Sequence, residues 1–445
     1  MEWYWTLASL IGAILVLMAI GLPVGIAFIA VNVVAATVYM GGSGDLFEVA
    51  ERGVGVLAGN AFESMTTFAL VPIPMFLLMG ELFFHTGLAN RMFTAVEKLL
   101  GRVPARLSYV TVAGGTAFAT LSGSSMGSTA LLGTLMVPEM SRRGYKKHMS
   151  IGPILGTGGL AMMIPPSALA VLLGTLAELD IGKLLIAGIL PGLILASMYI
   201  VLIYVMAKRD PDAAPAYDID FVPWSTRLKL LCTDVLPMVS VVIGVIVLIM
   251  AGVATPSEAA AFGCLGVLIL ALLYRCLTFK STWTSMEGAA RVTIMALLII
   301  FGSATFSQIL AFSGASSGLI GWVTQFDVDP QVMLLVMFGI LLVLGMFMDQ
   351  LSMMLLTVPI FFPLALKFGF DPIWFAVIVL LAMEISFTTP PFGLLLFVMQ
   401  GVSPPGTKFS EICFAAIPFM ACAMLLVVLI VIFPGIATWL PSLGS

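Results

Sequence analysis

Two stretches inside long apolar runs cannot form regular helix, and they constrain this chain more than any other feature. Leu-Ser-Gly-Ser-Ser-Met-Gly-Ser (121–128) is rich in Gly and Ser, and Met-Ile-Pro-Pro-Ser (163–167) holds two adjacent prolines. Both are flanked by enough apolar sequence to sit within a bilayer. Each unpaired N–H or C=O there costs several kcal/mol, so broken backbone is tolerated only where protein buries it or where it lines a cavity. Such places are candidate binding sites.

The composition points to the same solvent. Of 445 residues 61% are hydrophobic and 9% charged, with mean hydropathy +1.15, which excludes a soluble globular protein. The apolar runs approach or exceed ~20 residues rather than alternating over ~10, so the spans are helices and not barrel strands. Met-Glu-Trp-Tyr-Trp at the start has no basic region and no small-residue cleavage site, so the first apolar run is expected to be retained as a span. The five cysteines are scattered without CxxC spacing and read as small buried hydrophobes. His85 and His148 are too few and too far apart for a metal cluster.

Spans are expected near Tyr4–Leu22, Val24–Tyr39 and Ser64–His85, with an acidic loop at Asp45, Glu48 and Glu51 and a basic loop at Arg91, Lys98, Arg102 and Arg106. Basic clusters flank residues 107–141 on both sides, the second at Arg142, Arg143, Lys146 and Lys147. Because basic loops prefer the cytoplasm, this segment should enter and leave from that side as a re-entrant hairpin turning at Ser122–Ser125. A helix broken at Pro165-Pro166 follows (151–176), then a span near Leu184–Met206. Residues 208–229, with Pro211, Pro215 and Pro223, read as a cytoplasmic linker. Beyond it lie spans near Leu231–Met250, Glu258–Leu273 and Ala289–Phe312, a second hairpin (332–366), a helix broken at Pro390-Pro391 (374–400) and a last span near Ile412–Phe433.

The halves repeat. A spacing of 225 carries Pro138 onto Pro363, Gly144 onto Gly369 and Pro165-Pro166 onto Pro390-Pro391 without a gap, and Ser124 onto Asp349. The expected fold is therefore an all-α polytopic membrane protein of two inverted repeats, 1–207 and 230–445. Each has five spans, one of them broken by prolines, and a re-entrant hairpin. An odd number of spans inserts the second repeat upside down, as in secondary transporters. Both termini then lie outside, with Lys367 as the one exception to the charge rule.

Each proline pair removes donors and leaves carbonyls of the preceding turn free, which suits Na⁺, while the following half-helix presents N–H groups that suit a carboxylate. Ser122, Ser124 and Ser125 can add oxygen ligands in one half, and Asp349, Ser352, Thr388 and Thr389 in the other. Read alone, a proline pair is a simple kink; two pairs, each with a polar hairpin tip at matching spacing, favour a site. Asp349 and Glu384 are carboxylates within apolar segments and so functional candidates. Asp349 is read as an ion-site or tip-closing residue, and Glu384 either as held by a structural partner or as part of coupling. Thr255-Pro256-Ser257-Glu258 reads as a capping box, and Glu81 and His85, one turn apart, as a bonded pair.

Gly-Leu-Pro-Val-Gly-Ile-Ala-Phe (21–28), Leu-Met-Val-Pro-Glu-Met (135–140) with Arg-Arg-Gly-Tyr (142–145), Ile-Pro-Pro-Ser (164–167), Ala-Thr-Pro-Ser-Glu-Ala-Ala-Ala (254–261), Gly-Met-Phe-Met-Asp (345–349) and Met-Glu-Ile-Ser-Phe-Thr-Thr-Pro-Pro-Phe-Gly (383–393) resemble the large membrane subunit of tripartite ATP-independent periplasmic (TRAP) transporters. The resemblance covers nearly the whole chain. It implies a Na⁺-coupled elevator importer in the bacterial inner membrane, related in fold to dicarboxylate/Na⁺ symporters. It also implies a small four-helix membrane subunit and a periplasmic solute-binding protein that delivers an organic acid. Matched by position, Ser122, Ser124, Ile164 and Pro166 correspond to a first Na⁺ site, and Asp349, Thr388, Thr389 and Pro391 to the region of a second. The chain departs from the family at Ala161 and Ser386, where glycine is usual, at the tip Asp-Gln-Leu-Ser (349–352) and at Leu395, where asparagine is common. These changes suggest an atypical substrate.

The sequence thus reads as a Na⁺-driven importer with its substrate between the hairpin tips, near Ser125, Ser167 and Gly393. It needs no cofactor beyond Na⁺ as coupling ion, lies among membrane lipid and has no nucleic-acid partner. Two other readings stay open: a stand-alone dicarboxylate/Na⁺ symporter without a binding protein, and an intramembrane enzyme using Asp349 and Glu384, for which no nucleophile or metal motif is present.

Overall fold

The computed structural model describes residues 2–41, 45–66, 70–100, 103–122, 124–215, 223–325, 328–390 and 393–443. The chain opens with α1 (Trp3–Ala19), α2 (Val24–Met40) and α3 (Leu46–Thr66), then α4 (Pro72–His85) and α5 (Leu88–Leu100), which meet at a bend of 65°. The first hairpin is α6 (Arg106–Ser122) and α7 (Ser125–Arg142). The first broken helix is α8 (Lys147–Met163) and α9 (Ala168–Leu176), bent by 46°, and α10 (Ile181–Arg209) follows. After α11 (Trp224–Leu230) a wider helical turn, Leu231–Val235, leads into α12 (Leu236–Met250), α13 (Pro256–Leu273), α14 (Phe279–Phe312) and α15 (Ala315–Thr324). α16 (Pro330–Phe347) and α17 (Gln350–Lys367) form the second hairpin, α18 (Pro372–Phe387) and α19 (Leu394–Val402) the second broken helix, and α20 (Phe409–Ile432) and α21 (Gly435–Ser442) end the chain.

Among the described residues seven helices are long and apolar enough to cross a membrane, or nine when the pairs α4–α5 and α8–α9 each count as one span. The chain is a multi-pass helical membrane protein. Helix bounds recur at the spacing seen in the sequence: 125 and 142 plus 225 give 350 and 367, the bounds of α17, and α6, α8 and α9 map onto α16, α18 and α19 to within one residue. Gly144 and Gly369, just past α7 and α17, both turn into the left-handed region, at φ +79° and +78°. A Cβ is disfavoured there, which accounts for glycine at both positions.

Two expected loops are helices. The acidic stretch Glu48–Glu51 forms the first turns of α3, where Glu48 pairs with Arg52 one turn on at 3.4 Å. The basic stretch around Arg91 and Lys98 is α5, which buries Leu88, Ala89, Met92, Phe93 and Ala95. Both are amphipathic, so a search for continuous apolar runs passes over them. The stretch expected as a linker is not free at its start either: Ala213 and Ala214 are buried, and the Lys146 N–H donates to the Ala213 carbonyl at 2.9 Å.

The centre of the molecule is α8 and α18. Every residue from Met149 to Met163 and from Trp374 to Phe387 is buried, the mark of helices enclosed on all sides. In α8 glycines make that enclosure possible. A side chain at Gly152 or Gly156 would run into Phe419 of α20, one at Gly158 into Thr129 of α7, and one at Gly159 into the Glu384 carboxyl of α18. Close approach of backbones at small residues is a principal source of helix association in lipid.

Candidate functional site

Four helices begin at the hairpin tips and the breaks, and their starts are finished differently. At the first tip the Ser124 Oγ accepts from the Gly127 N–H at 3.1 Å and caps α7. At the second, Asp349 caps α17: its Oδ2 accepts from the Leu351 and Ser352 N–H groups at 3.1 and 3.2 Å, and the Ser352 hydroxyl donates to Oδ1. Ser167, after the first break, caps α9 through a bond from the Ala170 N–H at 3.2 Å. Gly393, after the second break, has no side chain with which to cap α19.

Chemistry at the breaks follows from the prolines. The Ala161 and Met162 carbonyls would accept from the N–H groups of residues 165 and 166, and neither proline has one. Ile164 leaves the helix in extended geometry (φ −90°, ψ 123°). α10 receives this break at two glycines one turn apart: a side chain at Gly188 would strike the Met163 carbonyl, and one at Gly192 the Ile164 side chain. The second break instead uses side chains. Hydroxyls of Thr388 and Thr389 both donate to the Ile385 carbonyl, at 3.0 and 2.6 Å, and the Thr389 N–H donates to the Ser386 carbonyl at 3.1 Å. Each hydroxyl oxygen keeps lone pairs for a cation.

The Ser386 side chain packs toward α16. Its hydroxyl donates back to the Met383 carbonyl at 3.0 Å, and its side chain fills the space left by Gly345, four residues before Asp349. The second tip and second break therefore adjoin. At the first tip α7 lies along α8, with the Ser125 carbonyl and Thr129 beside Gly158 and Leu395 of α19 completing that contact. The Ser125 Oγ and Thr129 Oγ1 are buried and have no hydrogen-bond partner.

Glu384 lies one turn before the second break and is buried. Its Oε1 accepts from the Tyr199 hydroxyl of α10 at 3.2 Å, while Oε2 has no partner. A cavity beside it, lined by Tyr199, Thr388, Phe419 and Met420 among others, leaves about 10 Å³ for the centre of a water molecule, room for roughly one water. The structural partner of Glu384 among the described residues is a tyrosine hydroxyl. Glu384 and Asp349 make separate sets of bonds, and no bond joins them.

Of the residues singled out in the sequence, Ser124, Asp349 and Ser167 sit at helix starts as caps, Ile164 and Pro166 in the first break, Thr388 and Thr389 in the second, Ser125 in the first turn of α7, and Gly393 before α19. Ser122 ends α6. Pro391 lies outside the described residues. Asp349 is held by the N–H groups of the helix that it caps. Thr129 and Tyr199 carry little signal in the sequence, each being a lone hydroxyl in an apolar helix. The glycines of α8, spaced at 152, 156 and 159, are the sequence signal of its close contacts.

A family model described as "Tripartite ATP-independent periplasmic transporter, DctM component" matches residues 11–436. The chain is 31% identical over 388 residues to a C4-dicarboxylate TRAP transporter large permease protein of Pseudomonas aeruginosa, covering 87% of this chain and 89% of that one. It is 29% identical to the 2,3-diketo-L-gulonate TRAP transporter large permease protein of Escherichia coli, covering 96% of each. Among solved structures, the YdaH transporter of Alcanivorax borkumensis superposes with a TM-score of 0.62 over 86% of this chain and 89% of that one, at 14% identity, a likeness of fold alone.

Proposed function

The chain belongs to the DctM component family of tripartite ATP-independent periplasmic transporters, and from that premise we propose that it is a Na⁺-coupled importer of a small organic anion in the bacterial inner membrane. A periplasmic solute-binding protein delivers the substrate, and a small membrane subunit completes the complex. Two Na⁺ bind at the tips and breaks: one at Ser122, Ser124, Ile164 and Pro166, the other at Asp349, Thr388, Thr389 and Pro391. The substrate lies between the tips near Ser125, Ser167 and Gly393. Residues 1–207 and 230–445 form inverted repeats with both termini outside, and the unit of hairpins and broken helices moves as an elevator against the remaining spans.

One observation carries this reading. Gly159 and Glu384 are equivalent by the 225 spacing, and they touch. A residue in contact with its own equivalent lies on the two-fold axis relating the halves. That axis then passes between α8 and α18 one turn before each break, which gathers both sets of hard oxygens at the middle of the fold, where inverted-repeat transporters hold ions and substrate. The oxygen-rich, nitrogen-poor donor set suits an alkali cation. Each net positive charge carried inward adds ~2.3 kcal/mol per 100 mV to accumulation.

The test is uptake into proteoliposomes holding this chain and its small membrane subunit, with the binding protein and organic acids outside, under an inward Na⁺ gradient. Uptake that needs both Na⁺ and the binding protein is the expected result. Uptake without the binding protein would move the chain to the stand-alone symporters, and uptake indifferent to Na⁺ would reject both ion sites.

A further inference from the structure

α10 turns two faces to two different surroundings. On one, Gly188 and Gly192 seat the first break, and Leu195, Tyr199 and Ile203 are buried. On the other, an open apolar groove of about 600 Å³ runs between α10 and α20, lined along α10 from Leu193 to Val205 and across it by Cys422 and Leu425. Leu193, Val201 and Leu425 are each more than half exposed there. Both helices are long and apolar enough to cross a membrane, so in a bilayer this groove is a surface for an acyl chain.

The sequence sets two cations at one end of it. An α-helix turns once every 3.6 residues, so residues seven or eleven apart lie two or three turns along one line. Lys208 stands in that relation to Val201 and Ser197, and Arg209 to Leu202 and Met198, all four of which line the groove. Both cations are exposed, and among the described residues neither meets a carboxylate; the neighbouring Asp210 is taken by Lys146. From Leu193 to Val205 the helix rises about 18 Å, against ~15 Å for half the hydrocarbon core of a bilayer. The groove is therefore about one leaflet deep, with its cations at the level of that leaflet's phosphates.

A second groove of nearly the same size lacks this feature. It lies between α1 and α2, has a volume of about 560 Å³, and takes its walls from residues 9–39, where the sequence has no Lys, Arg or His. An apolar slot alone accepts any chain, whereas one ending in two cations selects an anionic headgroup.

We propose that the α10–α20 groove binds one anionic phospholipid, its phosphate against Lys208 and Arg209 and an acyl chain along α10 from Val205 to Leu193. The site stands whatever ion or solute the chain moves. With the insertion proposed above, it lies in the cytoplasmic leaflet.

The experiment is native mass spectrometry of the full chain, alone and with its small membrane subunit, titrated in detergent with dioleoylphosphatidylglycerol or dioleoylphosphatidylcholine, which share their acyl chains. One phosphatidylglycerol is expected to bind at least about tenfold more tightly than phosphatidylcholine. Lys208→Ala/Arg209→Ala should bring the two lipids within about twofold of each other, whereas Lys183→Ala/Lys280→Ala, which removes two other exposed cations, should keep the preference. Ser197→Phe fills the middle of the groove and leaves both cations, and should weaken phosphatidylglycerol about tenfold by displacing its chain. The melting curve checks that each variant is folded. Equal binding of the two lipids by the unaltered chain, a preference that survives in folded Lys208→Ala/Arg209→Ala, or unchanged binding in folded Ser197→Phe overturns the proposal. Loss of the tightly bound lipid when the small subunit is present overturns it too, and gives the groove to a helix of that subunit.

Discussion

α8 and α18 hold equivalent places in the two halves, are interrupted at equivalent prolines and are buried along almost their whole length, yet they are built from opposite materials. Where α8 has Gly152, Gly156, Gly158 and Gly159, α18 has Val377, Leu381, Met383 and Glu384. The slender helix admits neighbours, whereas the bulky one fills the space they leave. The breaks diverge in the same sense: the first is seated on two glycines of α10, and the second is tied back by the hydroxyls of Thr388 and Thr389. Two stretches with one backbone plan can thus carry different chemistry at equivalent positions.

The contrast is broken most severely where the two helices touch. Gly159→Leu would drive a side chain into the Glu384 carboxyl and the α18 backbone behind it. Both helices are enclosed, so neither can move away, and overpacking of a dense core costs about 1–3 kcal/mol or more. Little folded protein should survive extraction in mild detergent, read by size-exclusion profile. Gly12, beside which nothing lies within 4 Å, supplies the control: Gly12→Leu should leave the profile unchanged.

Tyr199→Phe is next in size. It keeps the ring against Phe419, at a centroid distance of 5.2 Å, and removes only the hydroxyl that donates to Glu384. Both carboxyl oxygens are then without a donor in a buried setting, at a cost of about 1–3 kcal/mol. The thermal transition should fall by a few degrees, and the double variant Tyr199→Phe/Glu384→Leu should recover part of the loss, because replacing both partners by apolar groups removes the unmet bond. No recovery would mean that the Glu384 carboxyl is held by something other than Tyr199.

Much of this architecture is legible in the chain. Pro165-Pro166 and Pro390-Pro391 locate both breaks, and the 225 spacing predicts α17 from α7 to the residue. α3 and α5 are not legible as helices from apolar runs because their apolar faces alternate with Glu48, Arg52, Arg91 and Lys98. At the site, hairpin tips and breaks could be named from residue type, since Ser, Thr, Asp and Pro have strong local preferences at helix ends. Partners across the fold could not. That Tyr199 meets Glu384, or that Gly345 makes room for Ser386, depends on which helices lie side by side, and no local pattern encodes that.

The hairpin tips sharpen the comparison more gently. Asp349→Ala removes an acceptor of two N–H groups and orphans the Ser352 hydroxyl, while Ser124→Ala removes an acceptor of one. Loss of a cap costs about 0.5–2 kcal/mol, so both variants should melt lower, Asp349→Ala the more so. Equal shifts would mean that the second tip is no more firmly closed than the first.

The far ends of α8 and α18 offer the smallest effect. The residues before them, Lys146 and Asp371, are equivalent at the 225 spacing and opposite in charge. Asp371 caps α18, accepting from the Trp374 N–H at 2.8 Å, whereas Lys146 leaves α8 uncapped and pairs with Asp210 beyond α10. A lysine before one helix and an aspartate before the other is the pattern that the proposed opposite insertion of the halves calls for. The Lys146 ammonium holds the Asp210 carboxyl below its ordinary value of 3.8. Because the folded value is the lower one, whatever stability the pair contributes is present at neutral pH and is lost as pH falls through that lowered value. The pair is exposed to water, which screens it. Asp210→Asn should therefore shift the melting curve barely at pH 7 and not at all in strong acid, while Asp371→Ala lowers it at pH 7 by the worth of a cap, about 1 kcal/mol. A large neutral-pH loss from Asp210→Asn would mean that the ion pair, and not the Lys146 N–H bond to Ala213, holds the linker against α8.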